Sequence, residues 1–388
     1  MDEFQCRVPK ILFGSGRFQS LAGLASEWGN KAFLALDPYI DSSGLVDPLT
    51  EDLKRASIGT VRYSKIDPDP DCFAVDEAAE IARKNSCASV IAIGGGSAID
   101  FGKGVAVVAS NPGSCWQYTR RKDHTPKVPG PETLPVIAVP TTAGTGSEAT
   151  HFAVFTNPEI REKSTIVSDR IIPRIALVDP ELTYSCPPEL TALTGVDVLA
   201  HSVEAFINIK ASIFAKMVAI EAIRLVGRYL VRAVKDGSDL EARENMAWAS
   251  TLAGIAIAHS NPTLPHALGQ AAGGFVHAPH GASIAACLPH IIRLSYDADH
   301  ASFAELAVAL DPLSRDLPLD RRAERSADLL AELFKDINLN VRFSDFGLKE
   351  EDIPRVAQIA MTGYYTGISL HPKQMDGHQI EEIYRACL

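Results

Sequence analysis

In the segment Gly195-Val196-Asp197-Val198-Leu199-Ala200-His201 a carboxylate and an imidazole stand four residues apart. On a helix that spacing puts both side chains on one face, where they can share a cation. Such pairs are common by chance, and alone this one decides little. Six of the eleven histidines, however, fall between His259 and His300, a concentration that favours a site over scattered core histidines. His266 lies in Pro265-His266-Ala267-Leu268-Gly269, and His280 sits between Pro279 and Gly281. The latter is a local backbone break, where a ligand fits better than a packed core histidine. Three imidazoles and a carboxylate suit a borderline divalent ion such as iron(II) or zinc. An open coordination position would let that ion bind and polarise a substrate oxygen.

A second kind of chemistry is written in small residues. Ile91-Ala92-Ile93-Gly94-Gly95-Gly96-Ser97-Ala98 reads as a buried strand running through glycines into a helix. Glycines let the backbone approach a pyrophosphate, and the helix N-terminus offers N–H donors and a positive dipole. A glycine triplet by itself is equally a tight turn. Here Pro140-Thr141-Thr142-Ala143-Gly144-Thr145-Gly146-Ser147-Glu148 follows another apolar run and supplies hydroxyls at the same sheet edge. Ligands of open α/β sheets bind at the carboxyl ends of strands, so two such loops imply one cleft. Asp37, ending the first strongly apolar run, can accept from the hydroxyls of an adenosine ribose and would repel a 2′-phosphate. An Asp there is also a routine turn former.

The elements that must position these residues are of two types. Residues 32–36, 89–93, 134–139 and 175–178 are short, rich in Val and Ile and flanked by Gly, Pro or Asp, as buried parallel strands are. Residues 72–84 and 98–108 carry helical spacing between them, which predicts βαβ units. After Pro187-Pro188 the character changes: residues 190–209, 214–234, 240–259 and 326–337 read as long helices, without convincing strands. The expectation is a nucleotide-binding α/β domain over 1–185 and an all-helical domain over 186–388. Residues 120–132, with three prolines, read as an exposed loop.

The chain has 388 residues, 46% apolar and 22% charged, with a formal net charge of −11. These are globular values for a chain of two domains. The acidic balance argues against nucleic acid or an anionic membrane as partner. Seven dispersed cysteines without a CxxC pair read as reduced thiols. The start Met1-Asp2-Glu3-Phe4 shows no basic segment or apolar core of a signal peptide, and no apolar run approaches the roughly 20 residues of a membrane span. The expected setting is cytoplasmic.

Taken together, the motifs resemble those of the iron-containing (group III) alcohol dehydrogenases, from Phe13-Gly14-Ser15-Gly16 to Ile380-Glu381-Glu382-Ile383-Tyr384. That family's GGGSxxDxxK stretch matches Gly94 to Lys103, its PTTAGTGSE loop matches Pro140 to Glu148 letter for letter, its DPxL matches Asp179 to Leu182, and its GxDxxxHxxE matches Gly195 to Glu204. The resemblance implies a Rossmann-like N-terminal domain, a helical C-terminal domain and a homodimer or larger homo-oligomer. It implies ligation of one divalent ion, iron(II) before zinc, by Asp197, His201, His266 and His280. It also implies an NAD(H) site drawing on Gly95, Gly96, Ser97, Asp100, Thr141, Thr142, Thr145 and Ser147, with Lys163 near the nicotinamide ribose and Asp37 favouring NAD over NADP. The activity implied is hydride transfer between NAD(H) and a small alcohol or aldehyde, the ion polarising the substrate oxygen.

Two positions depart from the commoner pattern. Gln270 stands four residues after His266, where many members carry a histidine, and an amide cannot relay a proton as imidazole does. His277 is the nearest substitute. Asp69-Pro70 replaces the usual Asn-Pro, exchanging an amide near the cofactor for a carboxylate. Maleylacetate reductase, or a sugar-phosphate cyclase resembling dehydroquinate synthase, is the alternative, but a sugar-phosphate enzyme would show clustered Lys and Arg beside the ligands, and none is seen. A non-catalytic nucleotide sensor would not need four converging ligands.

Overall fold

The computed structural model describes residues 4–121, 124–160 and 162–388. Met1–Glu3, read above for targeting, and Lys122 and Asp123 of the expected loop lie outside the described residues. The chain divides into two compact units. The α/β unit holds Arg7–Thr142 and Gly146–Thr183, and the helical unit holds residues 4–6, Ala143–Thr145 and Tyr184–Leu388.

In the α/β unit the chain runs β1 (Lys10–Phe13), α1 (Leu21–Ala25), β2 (Lys31–Leu36), α2 (Pro38–Ser42), α3 (Asp47–Arg55), β3 (Gly59–Tyr63), α4 (Cys72–Lys84), β4 (Ser89–Gly94), α5 (Gly96–Ser110), β5 (Thr119–Arg120), β6 (Val136–Pro140), β7 (Phe152–Asn157), β8 (Glu162–Val167) and β9 (Ile175–Val178). Six strands form a parallel sheet in the order β1-β9-β6-β4-β2-β3. The strand period of two sorts its side chains to opposite faces. Phe33, Ala35, Val90, Ala92, Val136 and Ala138 pack with α4 and α5 on one side. Ala32, Leu34, Ile91, Ile93, Ile137 and Val139 pack with α1 to α3 on the other. Covering both faces is what makes the strands read as continuous apolar runs.

Five strands were not expected from sequence: β1 and β3 of the main sheet, and β5, β8 and β7, which form a separate three-stranded antiparallel sheet. Arg120 belongs to β5, so the expected loop begins later. In β8, Glu162-Lys163-Ser164-Thr165 hides its alternation behind polar side chains.

In the helical unit the chain runs α6 (Pro188–Ile207), α7 (Ile213–Lys235), α8 (Leu240–Ala258), α9 (Leu264–Val276), α10 (His280–Ser295), α11 (His300–Leu310), α12 (Leu319–Asp336), α13 (Ile353–Gly363), α14 (Tyr365–Leu370) and α15 (Gly377–Ala386). Ser212 and Asp239 cap α7 and α8 by accepting from backbone N–H groups of Ala215 and Ala242. Helix α6 corrects one expectation: it is long and apolar enough to cross a membrane, but 83% of that stretch is buried inside the protein. It is a core helix, whose Val196, Leu199, Val203 and Phe206 meet α7 and α8 side chains such as Val226, Leu230 and Ala253.

Candidate metal centre and cofactor loops

Asp197 and His201 lie one turn apart on α6, His266 is in the first turn of α9 and His280 opens α10. Between the last two helices the chain turns within three residues, His277 adopting the left-handed conformation (φ 57°) that ends α9 and Pro279 preceding α10. The next residue, Gly281, lies where a Cβ would meet the Leu193 carbonyl oxygen of α6 at 2.7 Å. Only glycine lets α10 approach α6 so closely, and that approach delivers His280 to Asp197 and His201 of α6.

One ligand atom from each of Asp197, His201, His266 and His280 lies within 4.8 Å of every other. Asp197 Oδ1 is 3.4 Å from the Nε2 atoms of His266 and His280 and 3.8 Å from that of His201. The first three residues are buried, and Asp197 Oδ1, His201 Nδ1 and His266 Nε2 have no hydrogen-bond partner among the described residues. A buried polar atom left unpaired costs roughly 1–3 kcal/mol. Several in one cluster of metal-ligand type are what a cation would satisfy, so the residues fit a divalent ion. Burial pushes the Asp197 carboxyl up, yet His201, His280 and His266 around it hold it well below the usual range. Burial drives His201 down to about 4. Burial opposes charge on His266 as well, but Glu204 and Asp197 beside it carry it up to about 10.

Glu204 was quoted in the motif but given no role, and the structure supplies one. Its Oε1 lies 2.5 Å from His266 Nδ1. The signal was in the sequence, because Asp197, His201 and Glu204 at i, i+4 and i+7 share one helical stripe.

Of the residues expected near the proton path, Gln270 lies one turn beyond His266 on α9 and is half-buried, whereas His277 is exposed at the helix end.

In the α/β unit, Gly94 ends β4 at φ 151°, where a Cβ would meet those of Asp37 and Ala98 at 2.7 Å. Gly95, which has no side chain to cap the helix, precedes the first turn of α5, where backbone N–H groups suit a ligand such as a phosphate. The space where a Gly95 Cβ would sit is 3.4 Å from Thr142 Oγ1, so the two glycine- and threonine-bearing loops adjoin. Thr141 is buried and its N–H donates to the Gly94 carbonyl at 3.0 Å. Ala143–Thr145 cluster with the helical unit, Gly144 standing against Thr194 there. This backbone fits a dinucleotide.

Five residues expected at the cofactor site, Asp37, Asp69, Asp100, Ser147 and Lys163, have partners within the protein. Ser147 Oγ donates to Asp100 Oδ1 and accepts from Lys103 Nζ at 2.9 Å, and Asp100 Oδ2 accepts from the Val154 N–H at 2.8 Å. Lys103 is wholly buried and also donates to the Thr150 hydroxyl and carbonyl and to the Phe152 carbonyl, at 2.7–3.1 Å. Burial lowers this ammonium to about 8 despite Asp100 and Glu148 nearby. The network shapes the loop between β6 and β7, a role that sequence reading did not give it. Asp69, at φ 58°, pairs with Lys163 at 2.7 Å. Asp37 Oδ1 accepts from the N–H groups of Tyr39 and Ile40, capping α2.

Comparison with known proteins accounts for both units. Residues 9–180 match the family model described as iron-containing alcohol dehydrogenase, and residues 191–388 match the model for the family's C-terminal part. The chain is 36% identical to a 1,3-propanediol dehydrogenase of Citrobacter freundii and 32% identical to an NAD-dependent methanol dehydrogenase of Bacillus methanolicus, each alignment covering 98% of both chains. Among solved structures, a halo-thermophilic archaeal alcohol dehydrogenase from a Red Sea brine pool superposes with a TM-score of 0.93 at 34% identity, all of both chains being covered. The chain therefore belongs to the iron-containing alcohol dehydrogenase family, and is an NAD-dependent oxidoreductase of CH–OH groups in small alcohols and of the matching aldehydes.

Proposed function

We propose that Asp197, His201, His266 and His280 hold one divalent ion, iron(II) in preference to zinc, and that the substrate is a short neutral alcohol or its aldehyde. The observation that carries this reading is the buried cluster of four ligand atoms within 4.8 Å, three of whose residues have a polar atom without a partner. When bound, the ion supplies Lewis acidity toward the substrate oxygen and the nicotinamide supplies or accepts the hydride. The protein's own part is positioning. Gly95, Gly96 and Ser97 present backbone donors to the pyrophosphate, Thr141, Thr142 and Thr145 line the adjoining loop, and Lys163 reaches the nicotinamide ribose. Asp100 and Ser147 support that loop from beneath. Gln270, one turn from His266, holds the substrate side by hydrogen bonding, and exposed His277 carries no essential proton. Relatives named for propanediol and methanol support a small neutral substrate.

The test is a panel of neutral and anionic aldehydes with NADH consumption followed on protein reconstituted with iron(II) or with zinc. Fastest turnover with iron(II) and a short neutral aldehyde is expected. Preference for an anionic aldehyde, or equal rates with both metals, would overturn the corresponding part.

A further inference from the structure

A chain of hydrogen bonds runs from His266 away from the ion's position, through residues with no part in the proposed chemistry. Glu204, Thr263 and His371 are all 0% exposed. Glu204 Oε1 faces His266 Nδ1, while its Oε2 accepts from the Thr263 N–H at 2.6 Å, the His266 N–H at 3.3 Å and the Thr263 hydroxyl at 3.3 Å. Thr263 Oγ1 lies 3.3 Å from His371 Nδ1, and His371 Nε2 lies 2.8 Å from Ser295 Oγ. These groups come from α6, the start of α9, the end of α10 and the residue after α14.

The proton positions follow from chemistry. A carboxylate only accepts, so the His266 proton sits on Nδ1. In the neutral imidazole that can hold an ion, Nε2 then carries the lone pair, and Nε2 is the atom buried without a partner among the described residues, 3.4 Å from Asp197 Oδ1. The Thr263 hydroxyl donates to Glu204, which leaves its oxygen to accept from His371 Nδ1–H, and His371 Nε2 to accept from the Ser295 hydroxyl. Each proton has one place.

We propose that Glu204, Thr263 and His371 are positioning residues that lock His266 in the tautomer with its Nε2 lone pair toward the ion, and so set metal affinity. The inference rests on the ligand reading above. It makes a definite statement about Glu204→Gln. The two backbone N–H donors claim the amide oxygen, so the NH₂ group faces His266 Nδ1 and drives its proton to Nε2, the wrong atom for a ligand.

Chelator competition with zinc(II) and cobalt(II) tests this on the full chain, with thermal unfolding of the metal-free protein as control. Glu204→Gln is expected to bind about 10- to 100-fold more weakly, the usual cost of losing such a support, with an altered cobalt visible spectrum. Thr263→Val should lose less, and Thr263→Ser, which keeps the hydroxyl, should match wild type. His371→Asn should show the smallest loss. Wild-type affinity in folded Glu204→Gln would overturn the proposal. If that variant does not fold, equal affinities in Thr263→Val and Thr263→Ser would overturn it. A wild type that binds neither ion would instead refute the ligand assignment, which keeps the two failures apart.

Discussion

The ligand cluster of the helical unit and the lysine network of the α/β unit are both buried polar constellations, but they are balanced differently. Around Lys103 the network members named here have a donor or acceptor in reach. Around Asp197 several polar atoms have none among the described residues. A satisfied network stabilises the fold and orients a loop, whereas an unsatisfied one holds a position open for something not made of protein. The two regions should therefore respond oppositely to mutation, one in stability and the other in activity.

His280→Ala sharpens the contrast most. Activity should fall by about a thousandfold or more, since the Lewis acid is worth several kcal/mol, while unfolding of the metal-free protein stays within about 0.5 kcal/mol of wild type. Lys103→Met should do the reverse to the fold, losing about 3 kcal/mol by stranding Asp100 and the Ser147, Thr150 and Phe152 acceptors. Equal stability losses in urea unfolding of the two variants would break the comparison.

His371 provides a pH test within the helical unit. Burial holds it at about 4, below its ordinary 6.5, against the opposing pull of Glu204. In that window the unfolded chain binds a proton that the folded chain does not, so this contribution is present above about 6.5 and is lost as pH falls toward 4. At pH 5 the loss is about 2 kcal/mol. The stability difference between pH 7 and pH 5 should shrink by that amount in His371→Asn. An unchanged difference would mean that the imidazole titrates normally.

Asp37→Ser separates capping from specificity, because serine still caps α2 while the charge is removed. The ratio of kcat/KM for NADP to that for NAD should rise about tenfold, or about 1.4 kcal/mol. An unchanged ratio would reduce Asp37 to a cap. The smallest effect is expected from Asp69→Asn, which releases Lys163 from a half-exposed pair worth less than about 1 kcal/mol. KM for NADH should drop a few-fold, and a rise would show that the pair itself holds the cofactor.

The parallel sheet was legible because strands buried on both faces carry unbroken apolar runs, as in Ser89–Gly94. Helical spacing suggested Asp197 and His201, and the Pro-His-Gly break suggested His280; the structure brings these side chains together with His266. The antiparallel sheet was not legible, since charged and hydroxyl residues in β8 mask its alternation. Helix α6 was read as a long helix but not as an apolar stretch of membrane length, because Asp197, His201 and Glu204 interrupt it. Glu204 bonds a residue 62 positions away and Lys103 reaches residues 44 to 49 positions away. Residue type suggests such groups, but only the approach of α9 to α6, or of the β6–β7 loop to α5, says which partners they meet.

The measurement that bears most directly on the account is the metal content of the purified, reconstituted chain and of His266→Ala, with circular dichroism to verify the fold. The account predicts one ion per chain in the wild type and less than about a tenth of that in the variant at unchanged helicity. Full metal occupancy in folded His266→Ala would contradict it.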